Sequence, residues 1–325
     1  MFHRILLLIF VLLSLKINAE YTNPVMGRAP DPTVLNYKNT FYLYSTCTDR
    51  SPNVPIFTSK NLVEWSAAGN AFSNSTLSLF PKDWSVWAPD VIEYKGKFVM
   101  TYALSRMGVN MNNGIGVAVA ENPLGPFADE GLLFKSKDIG VKNSIDPSFF
   151  RSGKKIYLIW GSFHGIYSTE LDFTNINDIK LKNPSKKEQL AGTLFEGSHI
   201  YKRGKYYYLF ASVGTCCDGV NSTYQVVVGR SKRLEGPYVN RNGEYMLDNA
   251  FTPVIKGDKY FVGPGHGSTI LTDKNGHTWY VFHAYEREAM SKGRQAMLVE
   301  IKWDKEGWPY VDKGVPCRSG ESPVF

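Results

Sequence analysis

Residues 31–44 of the chain read Asp31-Pro-Thr-Val-Leu-Asn-Tyr-Lys-Asn-Thr-Phe-Tyr-Leu-Tyr44. An acidic residue leads a short apolar segment, a Lys-Asn turn follows, and an aromatic segment returns. This order is typical of a β-hairpin, because Asn and Gly tolerate the positive φ that tight turns require. We therefore predict two antiparallel strands here.

The same pattern occurs five times along the chain. Each copy has a leading polar residue, a short strand, a turn with Gly or Asn, and an aromatic strand. The copies are residues 31–44, 90–102, 146–160, 196–210 and 266–282, and their leading residues lie 50 to 70 residues apart. A unit of this length holds about four short strands, the size of a propeller blade. The chain is predicted to be all-β and to fold as a five-bladed β-propeller.

A second motif, a strand entering a turn that ends on an aromatic residue, follows three of the hairpins. Its copies are Ser59-Lys-Asn-Leu-Val-Glu-Trp65, Ala120-Glu-Asn-Pro-Leu-Gly-Pro-Phe127 and Ser231-Lys-Arg-Leu-Glu-Gly-Pro-Tyr238. Long apolar patterns of period 3.6 are missing from the sequence, which argues against a (β/α)8 barrel or a Rossmann sheet. A β-sandwich with coincidental hairpins is the weaker alternative, because five repeats are in phase.

The composition agrees with a large folded domain. Of 325 residues, 43% are hydrophobic and 21% charged, with 29 Gly and 17 Pro, which excludes a disordered or collagen-like chain. Aromatic residues make up 14% and suit both pleated sheets and stacking on carbohydrate. The formal net charge is +7, but basic and acidic residues are interleaved, so no nucleic-acid partner is predicted. We expect a monomer.

Residues 1–19 are predicted to be a secretory signal peptide. Arg4 precedes an apolar run from Ile5 to Leu15, and the small residue Ala19 ends the segment. The run is shorter than the roughly 20 apolar residues of a transmembrane helix, so no membrane span is expected. The propeller is predicted to cover residues 20–325 and to be secreted or periplasmic.

The four cysteines do not form a disulfide scaffold in a chain of this length. Adjacent Cys216 and Cys217 are not expected to bridge each other, because the geometry is strained. Pairing of Cys47 with Cys317, which would tie the C-terminus to the first blade, is left open. The sequence contains no Cys-x-x-Cys pair, so no zinc site is predicted.

The leading residues of the five repeats are candidate functional groups. The first strand of each propeller blade lines the central channel, so equivalent residues form a ring at one end of it. The five residues are Asp31, Asp90, Asp146, Glu196 and His266. Four carboxyl groups in one pocket are costly, because like charges repel and burial adds to the cost. Their pKa values are expected to be displaced, as acid–base catalysis requires.

Each ring residue also has a structural interpretation. Asp31 and Asp146 precede proline, a common start of a turn. Asp90 follows an Ala-Pro pair, which also indicates a turn, and we give it a structural role. Glu196 is a poor turn former, and His266 lies between two glycines, so a place in the channel is favoured for both.

Two carboxyl groups facing each other across a pocket are what glycoside hydrolysis requires. One donates a proton to the departing oxygen, and the other attacks the sugar or activates water. A separation of about 6.5–9.5 Å leaves room for water and gives inversion, whereas about 5–5.5 Å gives retention. Acids on different blades favour the larger separation and hence inversion.

At these residues the sequence resembles glycoside hydrolase family 43, whose members are five-bladed propellers acting on arabinan and xylan side structures. Within that family it is most similar to arabinan endo-1,5-α-L-arabinanases. The segments that carry the resemblance are Arg28-Ala-Pro-Asp-Pro32, Trp87-Ala-Pro-Asp-Val91, Ser144-Ile-Asp-Pro147, Phe195-Glu-Gly197, Cys216-Cys-Asp-Gly-Val-Asn-Ser-Thr-Tyr-Gln-Val-Val-Val-Gly-Arg-Ser231, Gly263-Pro-Gly-His266, Gly293-Arg-Gln295 and Trp303-Asp-Lys-Glu-Gly-Trp-Pro309.

The resemblance implies a division of roles. Asp31 would be the general base, Glu196 the general acid, and Asp146 the residue that orients Glu196 and raises its pKa. His266 would lie beside a calcium ion of structural or electrostatic function. The substrate would be arabinan or a related plant cell-wall polysaccharide. The residues expected to contact sugar are Trp87, Asp90, Phe163, Asn221, Ser222 and Tyr224.

Two departures from the family pattern keep alternatives open. Ser198 stands where proline commonly follows the Glu-Gly pair, and His164 stands where tryptophan follows Phe163 in arabinanases. An exo-acting α-L-arabinofuranosidase or a β-xylosidase of the same family therefore stays open beside the endo enzyme. A non-catalytic carbohydrate-binding propeller is disfavoured, because it has no need of the three acids together. The invertase-like propellers open with Asn-Asp-Pro-Asn, which this chain lacks.

Overall fold

The computed structural model describes residues 20–47 and 53–325, so the predicted signal peptide, residues 1–19, lies outside the described residues. Two short strands come first, β1 (Glu20–Thr22) and β2 (Met26–Arg28). Blade 1 consists of β3 (Thr33–Tyr37), β4 (Thr40–Tyr44), β5 (Pro55–Ser59) and β6 (Ser66–Asn70). Blade 2 consists of β7 (Ser85–Tyr94), β8 (Lys97–Ser105), β9 (Gly114–Ala120) and β10 (Ala128–Lys135).

The other three blades follow in chain order. Blade 3 consists of β11 (Ser148–Ser152), β12 (Lys155–Trp160), β13 (Ile166–Asp172), β14 (Lys180–Leu181) and β15 (Glu188–Ala191). Blade 4 consists of β16 (Phe195–Arg203), β17 (Tyr206–Val213), β18 (Gln225–Ser231) and β19 (Thr252–Ile255). Blade 5 contains β20 (Phe261–Gly267), β21 (Leu271–Thr272), β22 (Thr278–Glu286), β23 (Arg294–Trp303) and β24 (Pro309–Tyr310), and β25 (Ser319–Glu321) comes last.

Helices are short and lie in the connections. The α-helices are α1 (Asn74–Leu77) and α2 (Ser136–Ile139), and the 3-10 helices are Gly219–Asn221, Met246–Asp248, Arg287–Lys292 and Asp312–Gly314. In the parts of the chain that the structure describes, no helix is long and apolar enough to cross a bilayer.

The ring of blades is closed by the N-terminal segment. Strand β2 pairs with β23, so blade 5 has the order β2-β23-β22-β20, and β1 pairs with β25 near the other end of the chain. The first strands of the blades contact one another around the axis, with β7 between β3 and β11 and β16 between β11 and β20. Val34 of blade 1 donates its N–H to Ser268 Oγ of blade 5 at 2.8 Å. The predicted five-bladed β-propeller is confirmed.

The predicted hairpin turns have the expected backbone conformation. In all five repeats the residue that the sequence pattern assigned to the turn has positive φ. These residues are Asn39, Gly96, Gly153, Gly204 and Gly276.

The core fills the interfaces between blades, because strands in the middle of a blade bury side chains on both faces. On β17, Tyr208 and Phe210 point toward blade 5, whereas Leu209 and Ala211 pack with blade 3, as the twofold alternation of a strand requires. Full burial of a side chain such as Leu209 or Phe210 contributes about 1.5–3 kcal/mol. The five interfaces are represented by Tyr44 and Tyr102, Ile115 and Trp160, Phe150 and Leu209, Phe210 and Tyr280, and Leu43 and Val281.

Candidate active site

Every blade has at least one residue with positive φ within its inner strand or just before it. Among these residues are Asp31 (51°), Ala88 (44°), Asp146 (56°), Gly197 (55°) and His266 (32°). For a non-glycine residue this conformation costs about 1–3 kcal/mol, and outside turns such residues cluster at functional sites. Three of the five, Asp31, Asp146 and His266, line a single cavity of about 790 Å³ together with Glu196.

Asp90 does not line this cavity. It lies two residues beyond Ala88, as Thr33 lies two residues beyond Asp31, so Ala88 rather than Asp90 is the blade 2 counterpart of Asp31. The carboxylate of Asp90 accepts hydrogen bonds from Thr33 Oγ1 at 2.5 Å and from the N–H of Phe149 at 2.6 Å. It therefore joins the inner strands of blades 1, 2 and 3. These contacts give Asp90 a structural role, and its side chain is not among those that line the cavity, so a sugar contact by Asp90 stays a prediction.

Asp31 is held as a carboxylate. Its Oδ1 lies 2.7 Å from Arg294 Nη1, and its Oδ2 accepts a hydrogen bond from Thr46 Oγ1 at 2.7 Å. Burial by itself would raise the pKa of Asp31. The positive charge of Arg294, the nearby imidazoles of His266 and His283 and the Thr46 hydroxyl outweigh burial and hold the pKa well below its usual range.

Asp146 and Glu196 have the opposite environment. Both side chains are buried, and the Asp146 carboxylate accepts the N–H of Gly197 at 3.1 Å, next to Glu196 in sequence. Burial raises the pKa of Asp146, and the negative charges of Glu196 and Asp31 raise it further. Burial also raises the pKa of Glu196. The two carboxyl groups therefore retain a proton more readily than ordinary acids.

Two hydroxyl groups orient Glu196. Ser162 Oγ donates to Glu196 Oε2 at 2.7 Å, and the hydroxyl of Tyr224 is also hydrogen-bonded to Glu196. Tyr224 is buried and occupies the space above Gly265, where a Cβ atom would lie 2.1 Å from the tyrosine ring. Thus the orientation of Glu196 comes directly from Ser162 and Tyr224, while Asp146 holds the adjoining backbone.

The two channel histidines pack around Asp31. The N–H of Asp31 donates to His283 Nδ1 at 3.1 Å, so this nitrogen is unprotonated, and burial lowers the pKa of His283 well below its usual value. His266 Nδ1 lies 3.5 Å from Asp31 Oδ1, and burial lowers its pKa too. The ring of His266 packs on Gly197, where a Cβ atom would lie 2.8 Å from its Cγ.

The predicted sugar contacts divide into two groups. Trp87, Phe163 and Tyr224 line the cavity, and Phe163 is 38% exposed. Asn221 and Ser222 do not: Asn221 ends a 3-10 helix, and Ser222 Oγ donates to the carbonyl of Thr215 at 2.5 Å. These two residues shape a loop at the cavity and are not among its lining side chains.

The expectation about the adjacent cysteines is wrong. Cys216 and Cys217 form a disulfide, with a Cα–Cα distance of 3.8 Å that is set by the single peptide bond between them. Both line the cavity, as does Cys47. Cys47 and Cys317 are free thiols, so the bond between them that the sequence left open does not form.

The site thus combines an ionised carboxylate with a proton-retaining pair of acids inside one cavity of a five-bladed propeller. The sequence profile of glycosyl hydrolases family 43 matches residues 21–309, almost the whole described chain. The chain belongs to this family.

Proteins similar to this family 43 hydrolase agree with that assignment. The extracellular exo-α-(1→5)-L-arabinofuranosidase of Cellvibrio japonicus is 33% identical over 306 residues, which cover 87% of this chain and 86% of the relative. The extracellular endo-α-(1→5)-L-arabinanase 1 of Bacillus subtilis is 32% identical over 86% of each chain. A solved structure of Cellvibrio cellulosa α-L-arabinanase complexed with arabinohexaose superposes with a TM-score of 0.77 and 31% identity, covering 89% of this chain and 96% of that one.

Sequence reasoning missed the residue that sets the charge of Asp31. Arg294 was quoted only as part of a segment resembling the last blade of the family, without a role. A signal did exist, since several buried acids need a cation nearby and Arg294 begins a strand of the closing blade. Ser162 carried no sequence signal, because its contact with Glu196 depends on how blades 3 and 4 meet.

The side chains around His266 do not supply the ligands that the predicted calcium ion prefers. Calcium takes six to eight oxygen ligands, usually from carboxylates, carbonyls and water. The described residues contain no group of three or more His, Cys, Asp or Glu side chains that would hold a metal, and the nearest carboxylate, Asp31, is engaged by Arg294 and Thr46. These side chains do not form a calcium cage, so only an ion held mainly by water matches this donor set.

Proposed function

We propose that this family 43 hydrolase cleaves α-1,5-L-arabinofuranosidic linkages of arabinan with inversion of configuration. The observation that carries the proposal is a single cavity in which Asp31 is paired with Arg294 while Asp146 and Glu196 are buried. The charge of Arg294 favours the ionised form of Asp31, whereas burial raises the pKa values of Asp146 and Glu196 and so favours their protonated forms. Carboxyl groups whose environments drive their pKa values apart are those that serve as base and acid.

In the proposed reaction, protonated Glu196 donates its proton to the glycosidic oxygen as the bond from that oxygen to the anomeric carbon breaks. A water molecule adds to the anomeric carbon from the opposite face of the sugar, and Asp31 accepts the proton that the water loses. The hydroxyls of Ser162 and Tyr224 hold the glutamate in place during this step. Asp146 acts as a positioning residue through the N–H of Gly197.

The cavity wall suits a chain of sugars. Trp87 and Phe163 present aromatic surface to the cavity, and aromatic faces stack on the apolar C–H faces of sugars. Arabinan as the substrate class is supported by the similar arabinan-cleaving enzymes of Cellvibrio japonicus and Bacillus subtilis. An exo-acting α-L-arabinofuranosidase is the second candidate, because the 33% identical relative has that activity in its name.

The proposal is tested by following products from linear arabinan, branched arabinan and xylan over time. Oligosaccharides appearing first from linear arabinan indicate endo action, and arabinose alone indicates exo action. Cleavage of xylan with no cleavage of arabinan would overturn the arabinan assignment in favour of a β-xylosidase. NMR of the first product formed is expected to show the anomer opposite to that of the substrate, and the same anomer would refute inversion.

Matched variants test the catalytic roles. Glu196→Gln is expected to lower kcat at least about 10²–10⁴-fold, the contribution of a general acid. Glu121→Gln, at an exposed position 78% accessible to solvent, should keep wild-type activity. If Glu196→Gln were folded and retained near-wild-type turnover, the acid would be elsewhere.

Export, a monomeric state and calcium remain predictions. Export is supported by the word extracellular in the names of both relatives and is tested by locating activity in the culture medium. The monomer is tested by light scattering. Calcium near His266, held mainly by water, is tested by the thermal shift described below.

A further inference from the structure

The Cys216–Cys217 disulfide lies in the wall of the catalytic cavity, and the mechanism above does not use it. Cys216 is half-buried and Cys217 is exposed, and both line the same cavity as Glu196 and Tyr224. The pair lies in the loop that connects β17 to β18. Its sulfur atoms are therefore open to whatever occupies the cavity.

Hydrogen bonds fasten this loop at its base. The N–H of Thr215 donates to Thr223 Oγ1 at 3.1 Å, and the N–H of Thr223 donates to Thr215 Oγ1 at 3.2 Å. Ser222 Oγ reaches the carbonyl of Thr215 at 2.5 Å. The loop then runs directly into Tyr224, which is hydrogen-bonded to Glu196. The disulfide is thus held in a fixed position relative to the catalytic acid.

The chemistry of the pair suits contact with a sugar. A disulfide has no hydrogen-bond donor, and its sulfurs are polarisable and apolar, so they favour contact with C–H groups. Other exposed apolar side chains of the cavity are Phe163 and Met107, at 38% and 84% exposure. Binding pockets commonly combine such apolar surface with a few polar groups that fix orientation.

We propose that the Cys216–Cys217 disulfide is a sugar-contacting surface of this enzyme and that its reduction weakens substrate binding while bond cleavage continues. This inference rests on the proposed function. An intact bridge holds both sulfurs in one arrangement, whereas two thiols rotate freely and must be ordered again when substrate binds. Ordering costs binding free energy, so KM should rise more than kcat falls.

The test compares oxidised and reduced enzyme on linear arabino-oligosaccharides. A phosphine reductant breaks the S–S bond, places one hydrogen on each sulfur and becomes the phosphine oxide with oxygen from water. Thiol titration should find two free thiols before reduction, Cys47 and Cys317, and all four cysteines free afterwards. Reduction is expected to raise KM about tenfold, because the two freed thiols must be ordered again when substrate binds. It is expected to change kcat less than about twofold.

Two sets of variants assign the effect to the disulfide. Cys216→Ser with Cys217→Ser should show the raised KM without reductant and no further response to it. Cys47→Ser with Cys317→Ser leaves the bridge as the one group that reacts, and its KM should still respond. Calorimetry of oligosaccharide binding to the Glu196→Gln variant, oxidised and reduced, should show the same loss of affinity independently of turnover.

The outcomes separate this inference from the proposed function. A KM and an affinity that are unchanged on reduction, in an enzyme that cleaves arabinan, would overturn the inference alone. A response that persists in the variant without Cys216 and Cys217 would also overturn it. If the oxidised enzyme cleaves no arabinan, both the proposed function and this inference fail. A thermal melt will show whether the serine variants fold. If they do not, the comparison of oxidised and reduced wild-type enzyme tests the inference.

Discussion

The most informative perturbation of the site is Arg294→Gln. Arg294 Nη1 lies 2.7 Å from Asp31 Oδ1, and the two side chains are only 15% and 12% exposed. Glutamine keeps a polar side chain, but it is shorter than arginine and carries no charge. Asp31 would then be a buried carboxylate whose remaining partners are the Thr46 hydroxyl and two imidazoles of lowered pKa.

The expected size of the effect follows from the burial of the pair. Removing one partner of a buried ion pair destabilises a protein by about 3–5 kcal/mol, because it leaves an uncompensated buried charge. Because the folded-state pKa of Asp31 is depressed, Asp31 stabilises the protein above its ordinary pKa, and this contribution is lost as pH falls through the folded value. Without Arg294 that contribution should vanish at neutral pH, and burial should raise the pKa of Asp31.

Two assays measure the consequences. The acid limb of the pH profile of kcat/KM, set by protonation of the base, should move up by about one to three pH units. Denaturant titration at neutral pH should show the loss of unfolding free energy. Adding Asp31→Asn to Arg294→Gln should recover part of that loss, because no buried charge is then left unpaired.

Arg287→Gln is the matched control, since Arg287 is an exposed arginine in the neighbouring 3-10 helix. This substitution should change the free energy of unfolding by no more than about 0.5 kcal/mol. An Arg294→Gln enzyme whose acid limb does not move would show that Arg294 does not keep Asp31 ionised. Additive effects of Asp31→Asn and Arg294→Gln would lead to the same conclusion.

Three further predictions concern the catalytic acid Glu196, the strand-joining carboxylate Asp90 and the predicted calcium ion. Tyr224→Phe removes a hydrogen-bond donor to ionised Glu196 and should raise the pKa of Glu196, so the alkaline limb of the kcat/KM profile should move upward by up to about one pH unit. The hydroxyl of Tyr238 donates to a backbone carbonyl instead, so the control Tyr238→Phe should leave that limb in place. Burial raises the pKa of Asp90 from 3.8 to about 6, so the free energy of unfolding should fall by about 3 kcal/mol as pH rises across that interval. Denaturant titrations of Asp90→Asn should not show this pH-dependent fall. Calcium should raise the melting temperature of the wild type and not that of His266→Ala, and an equal rise in both would refute a site at His266.

Much of the architecture could be predicted from local sequence. The five hairpins are defined by turn residues that tolerate positive φ and by alternating apolar residues, and both signals lie within about fifteen residues of each other. The repeat spacing then predicts the number of blades. Because inner strands of a propeller converge on one axis, Asp31, Asp146, Glu196 and His266 were correctly expected to meet in one cavity.

The side-chain contacts within that cavity depended on the tertiary structure. Asp90 was counted as a ring residue, but the backbone bulge in its strand makes Ala88 the counterpart of Asp31, and spacing in sequence does not reveal a bulge. Arg294 meets Asp31 only because the N-terminal strand closes blade 5 across 263 residues of chain. Sequence by itself determined the repeat, the number of blades and the acids at their starts, since these depend on local conformation and periodicity. The charge on each acid was decided by partners from distant blades, because burial and electrostatic interaction depend on distance in space and not along the chain.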